Sequence, residues 1–566
     1  MSDKTVYSRR NLAIDMLRAL TMFIMIFVND FWKVHDVPHW LEHAVYGEDF
    51  MGLADIVFPC FLFAVGMSIP YAIERRYAKG FSAESTLGHI LSRTFALLVM
   101  GAFITNSEFR LSPEAPYPIG VYWFLMAIGF NGVWNQYPKP ASGTQKNLFR
   151  AFKIIGVLVL LYLAFTFRNP QGGAFGAYWG ILGSIGWTYL VCAVIYIFSR
   201  DRLQYLLPAW GAFILICLLG TPLREGFGGE AILAFPERNF YQGMLSILHI
   251  GNGALPAFTM GGVILSILSA RYAGKGDGWK LCNGLTVAVL LLLVGIGTHH
   301  FWIVAKMGGT PPWVFYVTAI SVGLYTLLGY LVSHQVTGWF NLIRPAGTAT
   351  LTTYLVPYVF YGFADVTGVV LPDWFTHGFM GLVNCLCFAF VVIGVTWVME
   401  KLHVKLKILD RMKKSFLPAF LLLFLALGMF SCQQGAKETT KEYPMFWTWL
   451  DYRPGMNFDS ICQVMNDIGM DGIMLNAPTP DDYRAAIPVV HKHGIEVYAW
   501  LWTMNLEHDR DKILKEHPEW FSVNRNGKSL ADTTAYVGYY KFLCPALPEV
   551  REFIKEKSRP TAKWKA

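Results

Sequence analysis

The sequence predicts an all-α polytopic membrane protein of about 12 transmembrane helices. A lipoprotein-signal-like helix and an incomplete, TIM-barrel-like α/β segment are expected to follow. Three observations carry this expectation. Hydrophobic residues make up 54% of the 566 and charged residues only 15%, against about 25% charged in an ordinary soluble domain. Before residue 410, apolar runs of roughly twenty residues recur, each long enough to cross a bilayer. After Gln433 the composition becomes that of a water-soluble chain.

Taken in order, the apolar runs fall at 11–32, 53–73, 87–105, 117–135, 152–167, 177–198, 204–220, 250–270, 281–303, 312–333, 345–364 and 376–399. Basic residues test this count, because they collect in cytoplasmic loops. With the N-terminus inside, every second loop is cationic: Arg75, Arg76, Lys79 and Arg93; Lys139, Lys146, Arg150 and Lys153; Arg200 and Arg202; Arg271, Lys275 and Lys280; Arg344; then Lys401, Lys405 and Lys407. The alternate loops hold only Lys33, Arg110, Arg168, Arg224, Arg238 and Lys306. Both ends of a membrane domain spanning 1–405 are therefore expected in the cytoplasm, in a bacterial inner membrane. The net charge of +8 is distributed through these short loops and implies no nucleic-acid partner. Six of the nine cysteines lie in or beside apolar runs, so no disulfide framework is readable. No metal site is expected, and the oligomeric state is left open.

The segment 411–432 begins with Arg411, Met412, Lys413 and Lys414 and is almost wholly apolar from Phe416 to Phe430. It closes on Ser431-Cys432, the pattern of an export signal with a lipidation cysteine. A thirteenth helix is the alternative. Either way the tail, 433–566, is expected on the periplasmic side. There, strand-like MFWTWL, DGIMLNA and IEVYAWLWTM alternate with helical stretches, as in parallel β/α units. Trp447, Trp449, Asn476, Trp500 and Trp502 sit towards strand ends. These stretches resemble the start of a glycoside-hydrolase-like barrel family of exported bacterial lipoproteins. A full barrel needs about 250 residues, so a truncated barrel is expected, with two neighbouring reading frames joined near Asp410–Met412. No catalytic carboxylate pair is assigned in the tail.

Chemistry-bearing residues concentrate in the first two runs. Polar groups inside a bilayer are costly and are functional candidates by default. Asp15 and Arg18, three apart on one helix face, read as a buried structural ion pair. Asn29 and Asp30 end the first run on the outer side, His43 follows in the outer loop, and Asp55 opens the second run from that side. His35 and His39 read as surface residues. His43 has convergent partners: an imidazole suits proton acceptance near neutral pH, and a carboxylate orients it.

Several stretches resemble the heparan-α-glucosaminide N-acetyltransferase family. They are Ile14-Asp15-x-x-Arg18, Phe27-Val28-Asn29, His43-Ala44, Ala54-Asp55-x-Val57-Phe58-Pro59-x-Phe61, the run Trp179–Trp187 and Thr310-Pro311-Pro312-Trp313. The resemblance covers roughly residues 8–400. It implies transfer of an acetyl group from cytosolic acetyl-CoA to an amino sugar or glycan across the membrane, with the family's histidine on His43 and its asparagine on Asn29. Here the loop between Asn29 and His43 is longer than usual, and Ala19 stands where a glycine is common. On this reading His43 is the base, Asn29 a donor to the developing oxyanion, and Asp55 the orienting carboxylate. Arg9, Arg10, Arg75, Arg76 and Arg93 are the cations for coenzyme A on the inner face, although the positive-inside rule also accounts for each of them. A secondary transporter of a small solute has the same number of spans. It would place its site mid-membrane between repeats, on broken helices.

Overall fold

The computed structural model describes Tyr7 and residues 11–233, 251–406 and 446–562. Short gaps fall at 109–110, 113–114, 139, 141, 170–172, 177, 478, 501, 506–508, 525–526 and 535–539. Arg9, Arg10 and the whole 411–432 segment, with Cys432, lie outside the described residues. The chain divides into two compact units, Met1–Gly435 and Ala436–Ala566.

The first unit is helical. Its elements are α1 (Leu12–Asn29), α2 (Leu53–Ala78), α3 (Ala83–Glu108), α4 (Ile119–Trp134), α5 (Gly143–Thr166), α6 (Gly180–Ser199), α7 (Leu203–Gly220), α8 (Ala254–Arg271), α9 (Asp277–His299), α10 (Pro311–Ser333), α11 (Phe340–Thr348), α12 (Thr350–Thr367) and α13 (Gly378–Lys401). Among the described residues, ten helices are long and apolar enough to cross a bilayer, so this unit is a multi-pass membrane protein. Two of the expected spans differ. The run at 117–135 yields α4, with 16 residues, shorter than the roughly 20 a straight span needs. The run at 345–364 is not one helix: the backbone leaves helical geometry at Ala349 (φ −123°, ψ 41°) and separates α11 from α12. Pro345, Gly347, Thr348, Thr350 and Thr352 weaken the helix here. A Cβ on Gly347 would lie 2.7 Å from the Asp15 carbonyl oxygen of α1, and Arg18 donates to Thr350 Oγ1 at 3.0 Å beside the break.

Local chemistry sets the helix that begins the site. Asn11 caps α1, its Oδ1 accepting from the N–H groups of Ala13 (3.1 Å) and Ile14 (3.4 Å). Its Nδ2 donates to the hydroxyls of Tyr71 and Tyr325, both at 3.1 Å, which ties α1 to α2 and α10. Helix α2 packs closely on α8. A Cβ added to Gly66 would lie 1.9 Å from the Thr259 carbonyl oxygen, and one on Gly262 would lie 2.0 Å from that of Phe63. Small residues at such crossings let helix backbones touch.

In the second unit, β1 (Trp447–Asp451), α14 (Phe458–Asp467), β2 (Gly472–Asn476), α15 (Pro480–Lys492) and β3 (Glu496–Ala499) form two successive βαβ steps. They are followed by α16 (Arg510–Glu516) and α17 (Pro548–Ala562). The sheet is parallel in the order β1-β2-β3. Ile473 and Leu475 of β2 pack with Phe458, Cys462 and Met465 of α14, and with Ala486 and Val490 of α15. At the strand ends Trp449 stacks on Trp500 (5.4 Å between centroids), and Asn476 donates to Asp451 at 3.0 Å.

Candidate active site

Helices α1 and α2 form an antiparallel pair, so the start of α1 and the end of α2 share one face of the unit. The loop between them lies at the other face. That loop carries His43 and is fastened along its length. Phe50 N–H donates to the Val304 carbonyl at 3.0 Å. Asp49 accepts from Val304 N–H at 2.7 Å, meets His299 Nε2 at 2.8 Å and pairs with Arg224. Burial pushes the Asp49 carboxyl up, but the Val304 N–H, His299 and Arg224 outweigh it, and the group lies below the usual carboxylate range. His35 pairs through its backbone with Thr376 and Gly378, its ring 4.7 Å from that of His377.

The loop's return into α2 builds the reactive pair. Gly52 stands where a Cβ would come 1.9 Å from the Glu42 carbonyl oxygen, so only glycine lets the His43 segment lie against the start of α2. Asp55, in the first turn of α2, is 1% exposed. Its Oδ2 accepts from the N–H groups of Ala44 (3.0 Å) and Gly52 (3.3 Å). Its Oδ1 meets His43 Nδ1 at 2.6 Å. The His43 side chain is itself 50% exposed. With Nδ1 turned to the carboxylate, Nε2 is the ring atom left to accept a proton from a bound group. Trp313, from the Thr310–Trp313 stretch, donates its Nε1–H to the Asp55 carbonyl at 3.1 Å and fixes α10 over this corner.

Lys306, read from sequence only as an outer-loop cation, completes the cluster. Its Nζ lies 3.2 Å from His43 Nδ1 and 3.8 Å from Asp55 Oδ1. No spacing rule points to it, because 263 residues separate it from His43. Asn29 is exposed at the end of α1 and makes no hydrogen bond to His43 or Asp55 among the described residues. The buried group at that helix end is Asp30, held by Lys33 at 2.6 Å and by the Tyr361 hydroxyl at 2.8 Å. His39 is exposed, as expected for a surface residue. It nonetheless meets Glu48 at 2.7 Å and stacks on Phe50.

From the opposite face a cavity of about 1,230 Å³ enters the helices. Arg18, Arg75, Arg76, Lys79, Arg93, Lys153 and Lys405 line it, and Asp15 is its one carboxylate. Three of the five arginines expected to hold coenzyme A are thus gathered here. Arg18, Lys79, Lys153 and Lys405 join them, from segments no sequence motif connects. Asp15 and Arg18 pair at 4.0 Å, partly exposed rather than buried; both line the cavity, and Arg18 also donates to Thr350 beside the helix break. Arg76 lies over the Phe81 ring and Arg93 over the Tyr189 ring. The cavity wall continues along α2 to Phe61 and along α1 to Met25. At 1.5 Å per residue, the α2 lining from Lys79 to Phe61 covers about 27 Å, and Phe61 lies only about 9 Å along the helix from Asp55.

Residues 10–121 match the family model described as heparan-alpha-glucosaminide N-acetyltransferase, catalytic. That segment holds Asn29, His43, Asp55, Arg75, Arg76 and Arg93. A curated heparan-alpha-glucosaminide N-acetyltransferase of Mus musculus is 29% identical over 196 residues, covering 31% of this chain and 28% of its own length. The Homo sapiens protein of that name is 27% identical over 195 residues, with the same coverage. The chain therefore aligns with under a third of the length of the curated relatives it matches. The likeness supports a membrane transferase, and the family-model match takes in α1, α2 and α3 with the histidine–carboxylate site.

Proposed function

We propose that the first unit is an integral membrane acetyltransferase that takes acetyl from acetyl-CoA at the cationic cavity and delivers it to an amino sugar or glycan at the His43 face. One observation carries the proposal: a deep cavity rimmed by seven cations reaches to within about 9 Å, along α2, of a histidine–carboxylate pair on the opposite face. The donor set suits the ligand, since coenzyme A is anionic at its nucleotide end and a phosphate is best held by arginine and lysine. Arg75, Arg76 and Arg93, with Arg18, Lys79, Lys153 and Lys405, would hold that end; Arg9 and Arg10, outside the described residues, are proposed for the same role. The bound donor supplies a thioester whose acetyl carbon is the electrophile. At the far end His43 Nε2 accepts the proton that an attacking amine must lose, while Asp55 holds Nδ1. Asn29, exposed at that rim, is the amide available to stabilise developing negative charge.

By the positive-inside rule the cavity face is cytoplasmic and the His43 face external, as in a bacterial inner membrane. The second unit is then a periplasmic, Cys432-tethered module. Its stacked tryptophans suit a sugar ring, in keeping with the glycoside-hydrolase-like resemblance of its strands.

The broken α11–α12 element lines the cavity and gives a transporter reading its one specific support. The two readings part on a single assay: membranes given acetyl-CoA and a panel of amino sugars, scored for free CoA thiol. Transfer predicts acceptor-dependent thiol release. Solute uptake without release would favour the transporter. Because cavity and histidine both belong to the first unit, residues 1–405 expressed alone are expected to insert and to release thiol at the full-length rate. A well-folded but inactive 1–405 would assign the second unit a part in the reaction.

A further inference from the structure

The geometry points to Lys306 as a positioning residue that keeps the His43 ring uncharged, with its Nδ1–H toward Asp55 and Nε2 open as proton acceptor. This rests on the reading of His43 as the base and adds a residue outside the matched segment 10–121.

A buried carboxylate beside an imidazole would, alone, favour the protonated ring and remove it as a base near neutral pH. Nδ1–H is spent on the nearer Asp55 Oδ1 at 2.6 Å. The Lys306 ammonium, 3.2 Å from Nδ1 and 3.8 Å from Oδ1, therefore acts on the ring by its charge and not as a donor to Nδ1: it opposes positive charge there and partly balances the carboxylate. Among the described residues the other cations at this face are engaged elsewhere, Arg168 with the Phe165 and Phe167 carbonyls. Arg224 pairs with Asp49, and Lys33 pairs with Asp30 over the Tyr361 ring. Within the His43 loop, Glu48 is paired with His39, and Asp49 is held by His299 and Arg224. Among the described residues, Asp55 and Lys306 are the charged groups in contact with the ring.

Lys306 is also held firmly. Thr310 Oγ1 accepts from Ala305 N–H at 2.9 Å, and Gly309 N–H donates to the Lys306 carbonyl at 3.0 Å. Asn252 Nδ2 donates to the Gly308 and Gly309 carbonyls at 2.6 and 2.9 Å. Such support is what a precisely oriented site requires. Burial pushes the ammonium below the usual lysine range, against the pull of Asp55. A lysine merely exposed in a surface loop would not be placed this way.

The test uses the full-length protein in membranes, with Lys306→Met and Lys306→Arg. Two quantities are followed against pH: the kcat/KM of acetyl transfer, and the rate at which diethyl pyrocarbonate modifies His43, a reaction of the uncharged ring. Removing the positive charge favours the imidazolium. Lys306→Met should therefore move the acidic limb of both profiles to higher pH, by about one unit or more. Activity should recover on the alkaline side, and Lys306→Arg should restore a near-wild-type limb. A Lys306→Met limb that superimposes on wild type in both profiles would overturn the inference. So would a pH-independent loss that Lys306→Arg does not rescue, since that marks a purely structural role. A shifted modification limb in a protein that shows no transfer would uphold the Lys306 inference and sink the transferase reading instead.

Discussion

His43→Ala is expected to lower acetyl transfer by about 10²–10⁴-fold, the usual contribution of a positioned acid–base group. The size follows from what is lost: one nitrogen, Nε2, whose availability depends on the Nδ1 contact with Asp55 at 2.6 Å. Membrane insertion should not change, because His43 is half exposed and lies outside the spans. Donor binding should survive as well, since the cations lie at the other end of α2. His39→Ala is the informative companion. Because His39 meets Glu48 and stacks on Phe50, it should cost a few-fold through loosening of the loop, far less than His43→Ala. Release of CoA thiol reads both. Wild-type activity in His43→Ala would remove that residue from catalysis.

Asp55→Asn should be nearly as damaging, about 10²–10⁴-fold, although it changes neither shape nor volume. The cause is the pair of N–H groups, from Ala44 and Gly52, that point at Oδ2. They require an acceptor, so the amide of an asparagine must place its oxygen there and its NH2 toward His43. That NH2 then donates to Nδ1, the proton moves to Nε2, and the ring becomes a donor where a base is needed. Keeping the loop's own hydrogen bonds, the variant should insert and fold as wild type does. Thiol release within about twofold of wild type would show that Asp55 does not set the tautomer.

Sequence made the helices and the pair His43–Asp55 legible for different reasons. Apolar runs of span length announce themselves, and a carboxylate at the mouth of such a run is costly enough to draw notice. The break at Ala349 falls in Pro345-Ala-Gly-Thr-Ala-Thr350, a stretch rich in poor helix formers that a count of apolar runs passes over, and the Arg18 contact beside it comes from 332 residues away. The cavity was half legible. Positive-inside statistics account for each cation singly, and only packing brings Lys153 and Lys405 to the same wall as Arg75 and Arg93. Asn29 is exposed at the end of α1, where an amide proposed to meet the substrate rather than His43 needs no partner within the protein. Lys306 was under-read, since a loop lysine acquires meaning only when α10 and its Trp313 carry that loop onto the start of α2.

The central claim is passage of acetyl from the cationic cavity to the opposite face. Purified protein in sealed vesicles of labelled orientation tests it, with acetyl-CoA confined to the cavity side and an amino sugar confined to the His43 side. Acetylated sugar should accumulate on the His43 side while free CoA thiol appears only on the cavity side. Product formed only when both substrates share one compartment would contradict the claim.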